Sequence, residues 1–200
     1  MSSSARTPTR ERILAVALDS FGARGFDGAS LDDIARTVGV RKQTVLYWFP
    51  SKDDLVDAVL DAVAAELVAV IDAAVRAAPD EPLARIDAIV SAVFRPAVRR
   101  PALLGVVRES SRLPPERADA VVQRLSPLIS RAISYLESEM AAGRLRRGDP
   151  GLIAAMGYAT VTGIATEPSL LRAVEWSPDT VGLRHLRDEL RAYLRAALAP

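Results

Sequence analysis

Arg41, Lys42, Gln43 and Thr44 form an unbroken row of hydrogen-bonding side chains, directly ahead of Val45-Leu46-Tyr47-Trp48-Phe49 and a terminating Pro50. Arginine and lysine donate to the acceptors on a guanine edge, and glutamine bonds adenine bidentately. Tyr47 and Lys52 add a hydroxyl and an ammonium suited to phosphate oxygens. Val45 and Phe49, four residues apart, share one helix face and suit a small core. A buried strand would not need the charged tip, and a solvent loop would not carry the aromatics. A basic tip by itself is ordinarily a solvated helix end, so its meaning depends on what holds it.

The preceding residues supply two further helices. Thr7-Pro8 offers a cap and a proline at the first helical position. Ile13, Leu14, Ala17, Leu18 and Phe21 then recur at helical spacing, and Gly22 and Gly25 are expected to end that helix. Ser30 caps the next one, with Asp33 in its first turn and Leu31, Ile34, Ala35 and Val38 on its apolar face. Gly39 suits a positive φ at its end. A third helix is expected from about Arg41 to Trp48. Two helices joined by a short glycine turn are the layout of a helix-turn-helix, whose second helix presents its N-terminal residues to the major groove.

The rest also reads as helical, giving an all-α fold with no strand alternation and no internal repeat. Ser51 caps a long helix striped by Leu55, Val59, Val63, Leu67, Val70 and Ala74, which Pro79-Asp80-Glu81-Pro82 breaks. Pro101 and Pro114-Pro115 mark later boundaries, and Pro127 lies within a further long helix. An uncharged run from Pro150 to Thr166 and a leucine-striped last helix follow.

Residues 9–55, and above all RERILAVALDSFGARGFDGASLDDIARTVGVRKQTVLYWFPSKDDL, resemble the DNA-binding domain of the tetracycline-repressor (TetR) family. The matching features are Arg12-Ile13-Leu14, Phe21, Gly25-Phe26, Ser30, Asp33-Ile34-Ala35, Gly39-Val40 and Phe49-Pro50-Ser51-Lys52. The chain departs from the family where Arg41 replaces the usual Ser or Thr cap of the recognition helix. It departs again where Leu46 takes the slot of the family's tyrosine, with Tyr47 and Trp48 standing beside it as substitutes. The resemblance implies DNA contacts from Ser30, Arg41, Lys42, Gln43, Thr44, Tyr47, Trp48 and Lys52.

Residues 1–6 read as disordered, and the resemblance implies a DNA-binding domain over 7–52 and an effector-binding and dimerisation domain over 53–200. The expected protein is a homodimer on double-stranded, palindromic operator DNA, most commonly a repressor, released by a small, largely apolar effector. The competing expectation is a helical dimer of the same fold acting as a partner-binding module. Gly157, Val161 and Ile164 on the uncharged helix and Leu183, Leu186, Leu190 and Leu194 on the last helix are the dimer candidates. Packing of both stripes inside the monomer is the alternative. Phe94, Leu103, Leu104, Val107, Arg108, Tyr135 and Met140 are the candidate pocket residues.

The bulk composition narrows the field. The chain has 200 residues, a formal net charge of +1 and no cysteine, so thiolate metal sites and cysteine nucleophiles are excluded. Its single histidine, His185, has no cysteine or second histidine to work with. The pairs Asp32-Asp33 and Asp53-Asp54 are consecutive and sit at helix starts, where capping accounts for them. No glycine loop suited to phosphate is present. An enzyme is not expected, nor a cofactor or metal. MSSSAR has no apolar core for a signal peptide. The uncharged run falls short of the ~20 apolar residues of a membrane span, so no membrane partner and a cytoplasmic location are expected.

Overall fold

The computed structural model describes residues 6–166, 173–177 and 179–200, so residues 1–5 of the expected disordered segment lie outside it. The described residues form α1 (Arg6–Gly28), α2 (Leu31–Val38), α3 (Lys42–Trp48), α4 (Lys52–Ala77), α5 (Pro82–Arg99), α6 (Ala102–Ser110), α7 (Pro115–Ala141), α8 (Pro150–Thr166) and α9 (Thr180–Leu198). No strand occurs among them. The fold is all-α.

Local chemistry sets most of the boundaries. The Ser30 hydroxyl accepts from the Asp33 amide at 3.1 Å and Ser51 accepts from Asp54 at 3.1 Å, each satisfying a first-turn donor. Glu81 plays the same part for α5, accepting from Leu83 at 2.9 Å and Ala84 at 2.6 Å. Gly39 closes α2 at φ 79°, the left-handed region. Pro127 lies inside α7 and does not end it.

One expected boundary moves. Gly22 does not stop α1; the helical conformation breaks at Gly25, with φ 75° and ψ 169°. Gly22 instead marks the place where α6 meets α1. A Cβ there would stand 2.2 Å from the Ala102 carbonyl oxygen.

Two of the three core clusters among the described residues set the layout. In the first, Ile13, Phe21, Ile34, Val45, Phe49 and Leu55 close the three-helix unit. Leu103 and Val106 of α6 join the same cluster, so the N-terminal unit is packed on the rest of the chain. In the second, Ile86, Leu136, Met140, Leu145 and Leu198 tie α5, α7 and α9 together. Between them α7 lies against α4 through ion pairs: Arg117 with Asp53 at 2.8 Å and Asp57 at 3.1 Å, Arg124 with Asp61, and Arg131 with Asp72 at 3.0 Å.

No helix among the described residues is long and apolar enough to cross a membrane.

Candidate nucleic-acid interface

The short helix α3 is split by environment. Val45 and Phe49 are buried, at 0% and 3% exposure, and belong to the core of α1 and α2. Arg41, Lys42 and Gln43 are exposed, and Thr44 is half-buried. The apolar side therefore fixes the helix while its N-terminal turn faces outward. Arg41 occupies the N-cap position and makes no side-chain cap bond; the Thr44 amide is met by the Arg41 carbonyl at 2.9 Å. The guanidinium of Arg41 is thus not spent on capping.

Lys42 pairs with Asp32 across the turn at 2.8 Å. Both groups are substantially exposed, and such pairs contribute little to stability, ~0–1 kcal/mol. Tyr47 is 62% exposed and meets Trp48 edge-on, with ring centroids 5.4 Å apart. Lys52 donates to the Asp27 carbonyl at 3.3 Å, placing the start of α4 beside the end of α1. Ser30, exposed at the head of α2, donates to the Asp33 carboxylate at 2.8 Å, and Arg24 and Arg36 also reach that carboxylate, at 3.3 and 2.9 Å. The Ser30 bond, then burial acting in the opposite direction, then the arginines, leave the Asp33 carboxyl below its ordinary value. Arg12 donates to the Val38 carbonyl at 2.5 Å and so binds α1 to the end of α2.

Behind this unit, α4 to α9 line a partly open cavity of about 530 Å³. Leu60, Val63, Leu67 and Ile71 of α4 line one side, and Ile86, Ile89, Val90, Val93 and Phe94 of α5 another. Leu103, Leu104 and Val107 bring α6 to the wall. The size and apolar lining suit a small-molecule site.

Residues 13–59 match the family profile described as bacterial regulatory proteins, tetR family. The N-terminal helix-turn-helix is thus that of a TetR-family regulator. It is 49% identical over 51 residues to the HTH-type transcriptional regulator RutR of Escherichia coli K12, covering 26% of this chain and 24% of RutR. The chain thus matches only about a quarter of the length of that relative. It is 25% identical over 162 residues to the HTH-type transcriptional regulator EthR of Mycolicibacterium smegmatis, covering 81% of this chain and 73% of EthR. A TetR transcriptional regulator from Chloroflexus aurantiacus J-10-FL has the same fold, with a TM-score of 0.78 at 22% identity over 98% of this chain and 99% of that one.

Of the expected DNA contacts, Ser30, Arg41, Lys42, Gln43 and Tyr47 are exposed, Thr44 and Lys52 are half-buried, and Trp48 is half-buried against the N-terminal core. The expected pocket set divides. Phe94, Leu103, Leu104, Val107 and Tyr135 lie on the cavity wall. Arg108 and Met140 do not. Arg108 stands 3.7 Å from Glu109, whose carboxylate also receives the Phe26 amide at 3.4 Å, so this charge pair belongs to the α1–α6 contact. Met140 is buried with Ile86, Leu136, Leu145 and Leu198.

Within the single chain, the leucine stripe of α9 packs inward. Leu183 and Leu190 are buried, and Leu186 and Leu194 pack beside Val90 and Phe94 of α5. The stripe faces inward because α5 offers it an apolar surface, flanked by Asp87, which binds Arg191 and Arg195. Gly157 lies on the cavity side of α8. The side chains of Val161 and Ile164 lie outside the described residues. What α8 and α9 turn outward is different: Leu152, Ala155 and Met156 on α8, and Val181 and Tyr193 on α9.

Sequence reasoning missed the α4 wall of the cavity and Arg85. The α4 signal was present, since Leu60, Val63, Leu67 and Ile71 recur at helical spacing beside the stripe that begins at Leu55 and Val59. Arg85 gave no signal among so many arginines.

Proposed function

We propose that this chain is a DNA-binding transcriptional repressor that holds a palindromic operator as a homodimer and is released by a small, largely apolar effector. The observation that carries the reading is the division of α3: a buried apolar side under an exposed Arg41-Lys42-Gln43 tip. Such a helix meets base edges with its tip, while Lys52 and the head of α2 supply phosphate contacts. Residues 7–52 form the DNA-reading unit and 53–200 the effector and dimer unit.

The cavity supports the second half of the reading. Its α6 wall, Leu103, Leu104 and Val107, is the far side of the helix whose Gly105 abuts Gly22 of α1. An effector that fits better when α6 has shifted would carry α1 and the two recognition helices away from half-site spacing. That is a population shift, and it requires different affinities for the two arrangements.

The test is a titration of the purified protein against its own upstream intergenic DNA, beside a scrambled duplex of equal length, at several salt concentrations. A preference of roughly 10³ or more supports a specific regulator. Equal, weak and salt-sensitive binding to both duplexes leaves electrostatics alone and rejects the reading for that DNA.

A further inference from the structure

The polar side chains on the cavity wall are those of Glu66, Asp72, Arg85, Ser110, Arg131, Tyr135 and Tyr158, the last of these 44% exposed. Two of the donors are already engaged: Ser110 donates to the Val107 carbonyl at 2.8 Å, and Arg131 pairs with Asp72 at 3.0 Å. Arg85 and Tyr135 differ. Arg85 Nε and Tyr135 Oη are both buried, and neither makes a hydrogen bond of good geometry. Burial raises the pKa of the Tyr135 hydroxyl, and Arg85 stands close enough to pull it part of the way back down. Buried donors left unpaired are costly and uncommon.

The two groups stand together. The Arg85 guanidinium carbon lies 5.6 Å from the centroid of the Tyr135 ring, over its face. The outer nitrogen Nη2 is held 2.9 Å from Asp80, whose side chain is almost wholly exposed. Arg85 is therefore anchored from the solvent side while Nε remains unspent. Their chain neighbours Ile86 and Leu136 belong to the apolar cluster that also holds Leu145 and Leu198. The arrangement is one compact Arg–Tyr pair on a mostly apolar wall.

We propose that Arg85 and Tyr135 are the polar end of the cavity and select an effector with an apolar body and a terminal oxygen acceptor, a carboxylate or an acyl carbonyl. This rests on the cavity being the effector site. An oxygen acceptor takes hydrogen bonds from both N–H and O–H. An ammonium head offers donors only, leaves Arg85 Nε unpaired and meets a like charge.

Isothermal titration of the full-length protein with decanoate, methyl decanoate and decylamine tests this. The two oxygen-headed probes are expected to bind, and decylamine to bind at least about tenfold more weakly. Tyr135→Phe, which keeps the ring, and Arg85→Met are each expected to weaken the oxygen-headed probes by about tenfold and to narrow the discrimination. Decanoate favoured over its ester identifies a carboxylate, and equality of the two a carbonyl; either supports the proposal. Equal binding of all three probes, unaffected by both substitutions, overturns the proposal and leaves the cavity reading standing. Binding of none overturns both.

Discussion

A Cβ placed on Gly105 would stand 2.0 Å from the carbonyl oxygen of Gly22. Helices α1 and α6 therefore touch backbone to backbone at this point, which joins the three-helix N-terminal unit to a wall of the cavity. Gly105→Ala must push the two helices apart. Overpacking of this kind costs ~1–3 kcal/mol, and each kcal/mol lowers Tm by roughly 2–4 °C for a chain of this size. Thermal unfolding should show that loss, and operator affinity should fall although Arg41 to Thr44 are untouched. Unchanged melting together with unchanged binding would show that the α1–α6 contact couples nothing.

The recognition tip makes a separate prediction. Arg41 has no capping task, and Lys42 is held only by an exposed pair with Asp32. Charge reversal of both, Arg41→Glu with Lys42→Glu, should leave folding nearly unaltered, since neither side chain is buried. Operator affinity should drop, and the slope of log affinity against log salt should become shallower by roughly two units if both meet phosphates. Fluorescence anisotropy across a salt series measures both. An unchanged slope with unchanged affinity would remove the tip from the interface.

What was legible in the sequence is what neighbouring residues decide. Ser30, Gly39 and Ser51 announce helix ends because capping and positive φ act within three or four residues, and α3 follows from its own spacing. What was not legible depends on distant partners. Gly22 looks like a helix stop until Gly105, far along the chain, turns it into the place where two backbones meet. The α9 leucines form the same stripe whether they face a second copy or α5; only the fold reveals that Val90 and Phe94 claim them. Arg85 differs from its many arginine neighbours only because Tyr135 stands beside it.

Asp87 gives a pH dependence. It is 5% exposed on α5, with Arg191 at 3.2 Å and Arg195 at 2.7 Å. Burial raises its carboxyl, but the hydrogen bonds and charge of Arg195 and Arg191 outweigh it and hold the group below the usual carboxylate range. The folded value thus lies below the unfolded one, near ~3.9. Its contribution is fully present above that unfolded value and is lost as pH falls through the depressed folded value. Asp87→Asn should cost about 1–3 kcal/mol near pH 7, the arginines being partly solvated. The gap between wild type and variant should close on acidification below about pH 4. Urea unfolding at pH 7, 4 and 3 measures it, and a gap that does not change with pH would show that the charge of Asp87 contributes nothing.

The last prediction concerns the proposed dimer. Leu152 and Met156 on α8 and Tyr193 on α9 are 62%, 58% and 66% exposed, an unusual placement for large apolar side chains. Leu183 and Leu190, by contrast, already have their partners within the chain. Dimerisation through a bundle of helices would therefore use the outward stripes. Leu152→Arg combined with Met156→Glu should preserve the melting transition of the isolated chain yet yield monomers by sedimentation at micromolar concentration. Operator affinity should fall with it, because one helix-turn-helix reads a single half-site. Leu190→Arg should instead unfold the last helix from α5. If the α8 double variant remains dimeric while folded, the outward stripe of α8 is not the interface, and Tyr193→Glu then asks the same of α9.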